Sequence, residues 1–224
     1  MIYILHLETA TKACSVALSL NGELKQLKEI TEDGFSHGEN LTLFIEEVLK
    51  IEQISVKELK AVSLSSGPGS YTGLRIGVSV AKGLCYSLNI PLIAIDSLEC
   101  IYEIAKLVYP KKTIIPMIDA RRMEVFSSIY SSKGELLKPI SADVIDEQTY
   151  SEFDSFIACG DGAEKLKEIW EKRNIIFDST ILSSAKGQVD LAFKKFQAND
   201  FVDVAYFEPF YLKDFVTKQK TPKL

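Results

Sequence analysis

The sequence predicts an α/β protein built from two similar lobes, and two observations lead to this prediction. In the first half, apolar and polar stretches follow the order three strands, helix, strand, helix, strand, helix. From near Pro110, the second half repeats this order. The hairpin sequences Asn21-Gly22-Glu23-Leu24 and Lys133-Gly134-Glu135-Leu136 fall at the same turn of the two repeats, as a duplication requires.

The individual elements follow from apolar runs, helical spacing and turn residues. The strands predicted in the first half span residues 2–9, 13–20, 23–29, 61–64 and 91–96. The helices predicted there span 39–51, 74–88 and 97–108, with Ser97 as the cap of the third and a short capped turn at Ser55–Glu58. The second half predicts strands at 114–119, 124–130, 156–159 and 175–177, and helices at 163–173 and 184–197.

Three antiparallel strands that lead into parallel crossover units predict a mixed sheet of the ribonuclease-H-like kind. Two such sheets flanked by helices form the two-lobed actin-like (ASKHA) ATPase fold, which sugar kinases share. We expect lobes at 1–109 and 110–224, with the helix near 184–197 a candidate for packing back on the first lobe. This assignment concerns the fold, because a fold does not determine a function.

Composition excludes several functional classes. The chain has 224 residues and a net charge of −5, so it lacks the strongly basic footprint of a nucleic-acid-binding protein. Its four scattered cysteines form no Cys-x-x-Cys pair, which favours reduced thiols and argues against a zinc site. The N-terminus carries no basic leader, and no stretch is long and apolar enough to span a bilayer. We therefore expect a cytoplasmic protein that does not enter membranes.

A glycine-rich stretch, Ser65–Gly77, joins a predicted strand to a predicted helix. Such a turn can hold a phosphate at the free N–H groups of the helix start, or can simply let the helix lie close to the sheet. The stretch is neither a Walker loop nor a dinucleotide fingerprint. The residues that would contact phosphate or nucleotide are Gly67, Gly69, Ser70, Thr72 and Arg75.

The helix after this stretch carries small residues at four-residue spacing: Gly73, Gly77 and Ala81. A ridge of small residues allows another helix to approach closely. The helix predicted at 39–51 also has a wide apolar face. These two helices could pair with a partner protein, or both could cover the chain's own sheet, and the sequence leaves both interpretations open.

The sequence offers no metal or hydrolytic site. The chain has only two histidines, and a helix metal site at His37 would need a second histidine four residues later, where Leu41 stands. The other, His6, lies in a predicted strand, where packing is the expected role. Phosphate hairpins of actin-like ATPases place a glycine after the acid, whereas Glu8 and Asp119 are followed by no glycine. The loop Asp119–Arg122 could bind a phosphate or carboxylate, or form a surface ion-pair cluster.

Several motifs together resemble the bacterial TsaB family, also called YeaZ. They cover nearly the whole chain, and the glycine-rich block is the most specific of them. One departure is Glu8, where that family usually has aspartate. The matching stretches are residues 7–11, 14–17, 37–41, 67–77, 119–126, 160–163 and 209–213.

The resemblance implies a role in making threonylcarbamoyladenosine in tRNA. It implies a non-catalytic subunit, without catalytic residues, metal or cofactor of its own. A TsaD-like subunit would transfer the threonylcarbamoyl group, a TsaE-like ATPase would join them, and ATP and metal would sit on these partners. The chain alone would form a homodimer, and it would meet tRNA only through the complex.

The resemblance also implies that the two helices form the partner interface. The residues assigned to it are Leu41, Phe44, Ile45, Val48, Gly73, Leu74, Gly77, Val78, Ala81 and Cys85. A bulky residue at 77 is then expected to abolish partner binding in a folded monomer. Two alternatives remain, an actin-like ATP-dependent kinase or ATPase and, less favoured, a peptidase.

Overall fold

A computed structural model describes residues 1–31 and 37–213 of the chain, and the side chain of His37 lies outside that description. The strands of the first sheet are β1 Tyr3–Glu8, β2 Ala13–Leu20, β3 Glu23–Thr31, β4 Leu59–Ser65 and β5 Leu92–Ile95. Those of the second are β6 Ile114–Asp119, β7 Glu124–Tyr130, β8 Leu136–Val144, β9 Phe156–Cys159 and β10 Ile175–Asp178. The α-helices are α1 His37–Ile51, α2 Tyr71–Leu88, α3 Ser97–Val108 and α4 Val189–Gln197.

The two sheets have the same topology, which confirms the predicted duplication. The first has the strand order β3-β2-β1-β4-β5, and the second, read in the matching direction, has β8-β7-β6-β9-β10. In both, the first three strands pair antiparallel and the last two join parallel. The predicted two-lobed, actin-like α/β fold is therefore confirmed.

The hairpin turns explain why the register repeats. Asn21 and Gly22 both have positive φ, 51° and 84°, which is the conformation that an Asn-Gly hairpin turn needs. Gly134 has φ 85° at the corresponding turn of the second sheet. Since a one-residue slip would move every side chain to the other face, these turns fix which side chains of β2 and β7 point to each side of the sheet.

The helices pack on the sheets in a way that crosses the predicted lobe boundary near residue 110. α1 and α2 cover one face of the first sheet. α3 packs through Leu98, Ile101 and Ala105 against the second sheet. α4 packs through Ala192 against β1, β4 and β5 of the first sheet. The boundary itself stays a prediction.

Two sequence predictions of local structure are wrong. The helix predicted at 163–173 is a series of turns around a short 3₁₀ helix, Glu164–Leu166. Tertiary contacts override its helical pattern, because Trp170 is fully buried and donates its indole N–H to the carbonyl of Asp146, at 2.9 Å. The cap of α3 is Asp96 and not Ser97, since the Asp96 carboxylate accepts the N–H groups of Leu98 and Glu99.

Candidate partner surface and nucleotide cleft

Glu8 ends β1, at the position where an actin-like ATPase places its first acid, and it is fully buried. One carboxylate oxygen accepts the N–H of Ala10 at 2.7 Å, and the other accepts the hydroxyl of Ser65. Burial raises the pKa of Glu8 above its ordinary value, although the bonds from Ser65 and Ala10 act in the opposite direction. This acid is therefore committed to internal hydrogen bonds.

Gln188 covers the network around Glu8 from a short 3₁₀ helix, Ala185–Gln188. Its amide nitrogen donates to the carbonyl of Leu7 at 2.8 Å and to Ser65 Oγ at 3.1 Å. Its amide oxygen accepts the hydroxyl of Ser63 at 2.6 Å, and Ser63 in turn hydrogen-bonds Nδ1 of His6 at 2.7 Å. His6 is buried, as predicted for a packed strand histidine.

Asp119, the matching acid at the end of β6, is exposed but paired. Its carboxylate forms an ion pair with Lys165 and accepts the N–H of Arg121 at 2.9 Å. Lys165 also donates to the carbonyls of Arg122 and Glu124, at 2.9 and 2.7 Å. The second hairpin is thus held by a cation of the chain itself, Lys165.

The glycine-rich stretch packs on the β1–β2 turn. Ser70 donates its N–H to the carbonyl of Ala10 at 2.6 Å, and a Cβ at Gly69 would lie 2.2 Å from that same oxygen. The carbonyl of Gly67 accepts the N–H of Ser97 at 3.0 Å. Gly67 itself has φ 111°, a conformation that favours glycine. These contacts favour the packing interpretation of the stretch over the phosphate interpretation.

The remaining predicted nucleotide contacts lie at the start of α2. Ser70 is the N-cap, because its hydroxyl accepts the N–H of Gly73 at 3.3 Å. Thr72 and Arg75 are exposed. The Arg75 guanidinium carbon lies 3.9 Å from the centre of the Tyr71 ring, and its Nε donates to the hydroxyl of Tyr211 at 3.1 Å. A nucleotide contact at Thr72 and Arg75 stays a prediction.

The ridge of small residues on α2 faces the chain's own first sheet. A Cβ at Gly77 would lie 2.4 Å from Thr9 Oγ1. The Thr9 hydroxyl donates to the carbonyl of Gly73 at 2.8 Å. The ridge therefore lets α2 approach the end of β1, and a bulky residue at 77 would disturb the fold of the single chain.

The interface assigned from the sequence is wrong in its choice of helix face. Nine of those ten residues are buried within the single chain, where a partner cannot reach them, and Phe44 is partly buried against the same core. The interior residues are Leu41, Ile45, Val48, Gly73, Leu74, Gly77, Val78, Ala81 and Cys85. Both helices have two apolar stripes, and only contacts distant in sequence decide which stripe faces the sheet.

The opposite face of α1 and α2 is the one that solvent reaches. Leu43 is 49% exposed and Tyr86 is 87% exposed. Gly83 is exposed, and nothing lies within 4 Å of a Cβ built on it. A hollow of about 650 Å³ lies beside Tyr86 and Gly83, bounded by the segment Asp203–Ala205. Sequence reasoning missed these residues, although Ile76, Val80, Gly83 and Tyr86 recur at helical spacing as a second stripe.

The described residues contain no group of three or more His, Cys, Asp and Glu side chains placed to hold a metal ion. Within the same part of the chain, no helix combines the length and the apolar character that crossing a bilayer requires.

Comparison with known proteins agrees with the fold and specifies the family. The family model for TsaD, described as tRNA N6-adenosine threonylcarbamoyltransferase, matches residues 34–215. The chain is 28% identical to the tRNA threonylcarbamoyladenosine biosynthesis protein TsaB of Haemophilus influenzae, over 98% of the chain and 97% of that protein. The chain belongs to the TsaB (YeaZ) family. Escherichia coli TsaB is 26% identical over 98% of both chains.

Solved structures give the same assignment. YeaZ from Pseudomonas aeruginosa superposes with a TM-score of 0.79 at 25% identity, covering 95% of this chain and all of that one. An inorganic polyphosphate/ATP-glucomannokinase from an Arthrobacter strain superposes with a TM-score of 0.50 at 10% identity, covering 89% of this chain and all of that one. The kinase likeness concerns the fold alone.

Proposed function

We propose that this TsaB-family chain is a non-catalytic subunit in the synthesis of threonylcarbamoyladenosine in tRNA. It would support a TsaD-like subunit that performs the transfer and a TsaE-like subunit that hydrolyses ATP. The metal and the nucleotide would belong to those partners. The names of the TsaB relatives support the pathway, and the state of the two hairpin acids supports the division of labour.

The burial of Glu8 is the observation that carries the non-catalytic assignment. Hydrolysis of a nucleotide on this fold needs a carboxylate that can reach magnesium or water, and magnesium is held through ionised oxygens and retained waters. The Glu8 oxygens instead bond to Ser65 and Ala10, beneath Gln188. Ionising this carboxylate in its buried position is costly, and no solvent path to it is open because its exposed fraction is 0%.

The solvent-facing side of α1 and α2 is the proposed partner surface. It combines exposed apolar side chains, Leu43 and Tyr86, with a bare helix backbone at Gly83. Aromatic side chains and close backbone approach both favour protein contacts. In the absence of a partner, the same surface can pair with a second copy, since a two-fold contact uses one patch twice.

The proposal is tested by light scattering on a sizing column, with the chain alone and with the TsaD-like protein of the same organism. Gly83→Arg introduces a long side chain into the surface without a clash in the monomer. Asn174→Arg, at an exposed turn before β10, adds the same charge elsewhere and is the control. We expect a mixed complex that Gly83→Arg disrupts and Asn174→Arg preserves. A complex that tolerates Gly83→Arg would contradict the surface, and no complex under any nucleotide condition would contradict the subunit role.

The kinase or ATPase alternative has a separate test. We expect the purified chain to show no turnover of ATP above that of a Glu8→Gln variant. Turnover that disappears in this variant would establish an active nucleotide site and overturn the non-catalytic assignment. Cleavage of a denatured protein substrate, lost on changing either histidine, would support the peptidase alternative instead.

A further inference from the structure

A shallow concavity of about 330 Å³ lies on the second lobe, apart from the helix surface and the Glu8 network. It is formed by the C-terminal end of α3, the connection to β6 and the turn between β7 and β8. Four lysines line it: Lys106, Lys111, Lys112 and Lys133. In a chain with a net charge of −5, this is a local concentration of positive charge.

Three of these four lysines have no ion-pair partner among the residues that the structure describes. Lys106 pairs with Glu103 and lies 5.6 Å from the centre of the Tyr102 ring. Lys111, Lys112 and Lys133 are exposed and form no ion pair with residues 1–31 or 37–213. Unpaired charges that face one concavity create a positive potential that attracts anions.

The C-terminus of α3 explains only part of the cluster. Cations near the last turn of a helix complement its partial negative charge, which accounts for Lys106. Lys133 comes from a different element, the β7–β8 turn. This turn is fixed because the amides of Lys133 and Glu135 both donate to the Ser131 hydroxyl, at 3.2 and 3.1 Å. The β7–β8 turn therefore adds the positive charge of Lys133 to the concavity, and stabilisation of the α3 C-terminus does not account for that charge.

The remaining lining mixes tyrosine and serine side chains with the apolar Leu107, Pro110 and Ile114. The rings of Tyr102 and Tyr130 stack with centres 3.8 Å apart, and Gly134 lies over the Tyr102 hydroxyl. Tyr109 and Ser131 also line the hollow. Both rings are buried, with 8% of Tyr102 and 9% of Tyr130 exposed, so this pair offers no free face to a base and the lysines are the groups that meet a ligand. Because Lys111, Lys112 and Lys133 are exposed, they suit the spaced phosphates of a polymer better than an enclosed small ligand.

We propose that this concavity binds the backbone phosphates of RNA, with Lys111, Lys112 and Lys133 as the contacting cations. The inference rests on the proposed function, which places the chain in a reaction on tRNA, and it adds a direct contact between this chain and that RNA. The contact is electrostatic and independent of base sequence.

The test measures binding of a fluorescent RNA hairpin by anisotropy, with the full chain alone and in the mixed complex, as a function of salt. The triple variant Lys111→Gln/Lys112→Gln/Lys133→Gln removes the three cations. The control, Lys57→Gln/Lys60→Gln/Lys172→Gln, removes three exposed lysines that are outside the concavity. Thermal melting and complex formation are followed for both variants.

For three lost phosphate contacts, at about 0.7 per contact for single strands and about 0.9 for a duplex, the slope of log affinity against log salt should fall by about 2–3. With affinities that converge at about 1 M salt, this corresponds at about 0.1 M salt to roughly 100- to 500-fold weaker binding. We expect this loss in the first variant only, with complex formation unchanged in both. RNA binding equal in the two variants would overturn the inference while leaving the subunit role intact. Loss of the complex in the first variant would instead make the concavity a protein contact.

Two further arms exclude other anions. Saturable binding of inorganic pyrophosphate that needs the three lysines, without binding of the RNA hairpin, would overturn the RNA assignment in favour of a small phosphate ligand. Binding only to vesicles that contain an anionic lipid would overturn it in favour of a membrane surface.

Discussion

Two glycines of α2 allow a sharp test of which helix face is buried. Gly77→Ala and Gly83→Ala make the same chemical change six residues apart in one helix. Each gains about 1 kcal/mol of helix propensity, because glycine is the poorer helix former. The gain is common to both variants, so the difference between their free energies of unfolding reports packing alone.

The structure predicts a large difference. At Gly83 the added methyl group meets nothing within 4 Å, whereas at Gly77 it would lie 2.4 Å from Thr9 Oγ1. Thr9 is buried and its hydroxyl donates to the Gly73 carbonyl, so it cannot move without losing that bond. Overpacking of this kind costs about 1–3 kcal/mol. Gly83→Ala should therefore be more stable than the parent chain, and Gly77→Ala less stable than Gly83→Ala by about 1–3 kcal/mol.

Urea unfolding at fixed temperature measures both free energies, and thermal melting should separate the variants by about 2–4 °C for each kcal/mol. Thr9→Ala in the Gly77→Ala background removes the clashing oxygen and should recover part of the loss. Thr9→Ser keeps that oxygen and should recover nothing. Equal stabilities of the two glycine variants would refute the burial of the small-residue ridge, and with it the correction of the interface.

The pKa of His6 is lowered from 6.5 to about 3 by burial. Below pH 6.5 the unfolded chain binds a proton at His6 that the folded chain does not, so the His6 contribution to stability should fall with decreasing pH, by at most about 1.4 kcal/mol per unit. Asp96, whose pKa burial raises to about 6, contributes in the opposite direction, so the test is the difference between the parent chain and His6→Gln in urea titrations. A difference that does not change with pH would refute the assignment. All four cysteines are buried, and burial raises the pKa of Cys14 to about 11. A thiol reagent should therefore modify no cysteine rapidly in the native chain and all four in urea. Rapid labelling of the native chain would contradict their burial. Lys165→Met should speed hydrogen exchange of the backbone amides in the 119–124 hairpin, because Lys165 donates to two carbonyls there. The control Lys167→Met, which removes an exposed ion pair, should leave that exchange unchanged. Equal exchange rates in the two variants would show that Lys165 does not hold the hairpin.

The strands and the duplication could be predicted because their signals are local. An Asn-Gly turn between two apolar runs specifies a hairpin, and the repeated order specifies the topology. The failures have non-local causes. Trp170 and Arg173 lie in a stretch with helical spacing, yet they are held by carbonyls of Asp146, Thr149 and Tyr150 far back in the chain.

The interface error has the same origin. The sequence shows that α2 has an apolar stripe and a small-residue ridge, but either could face the sheet. Thr9, which packs against Gly77, determines that the small-residue ridge faces the sheet. Because Thr9 lies 68 residues before Gly77, no pattern within α2 predicts this orientation. The environment of Glu8 is also non-local. The sequence shows that no glycine follows Glu8, but it does not show that Gln188, 180 residues later, donates to Ser65 beside it.

The two hairpin acids are paired within the chain by different physical means. Glu8 is withdrawn from solvent and hydrogen-bonded beneath Gln188, whereas Asp119 stays at the surface and is neutralised by Lys165. Both covering residues come from the second half of the chain. A single substitution would therefore remove the partner of one acid only. Removing Gln188 would also leave the Ser63 hydroxyl and the Leu7 carbonyl without their amide partner. Because unpaired buried polar groups are costly, the network around Gln188 opposes any rearrangement that would expose Glu8 to a ligand.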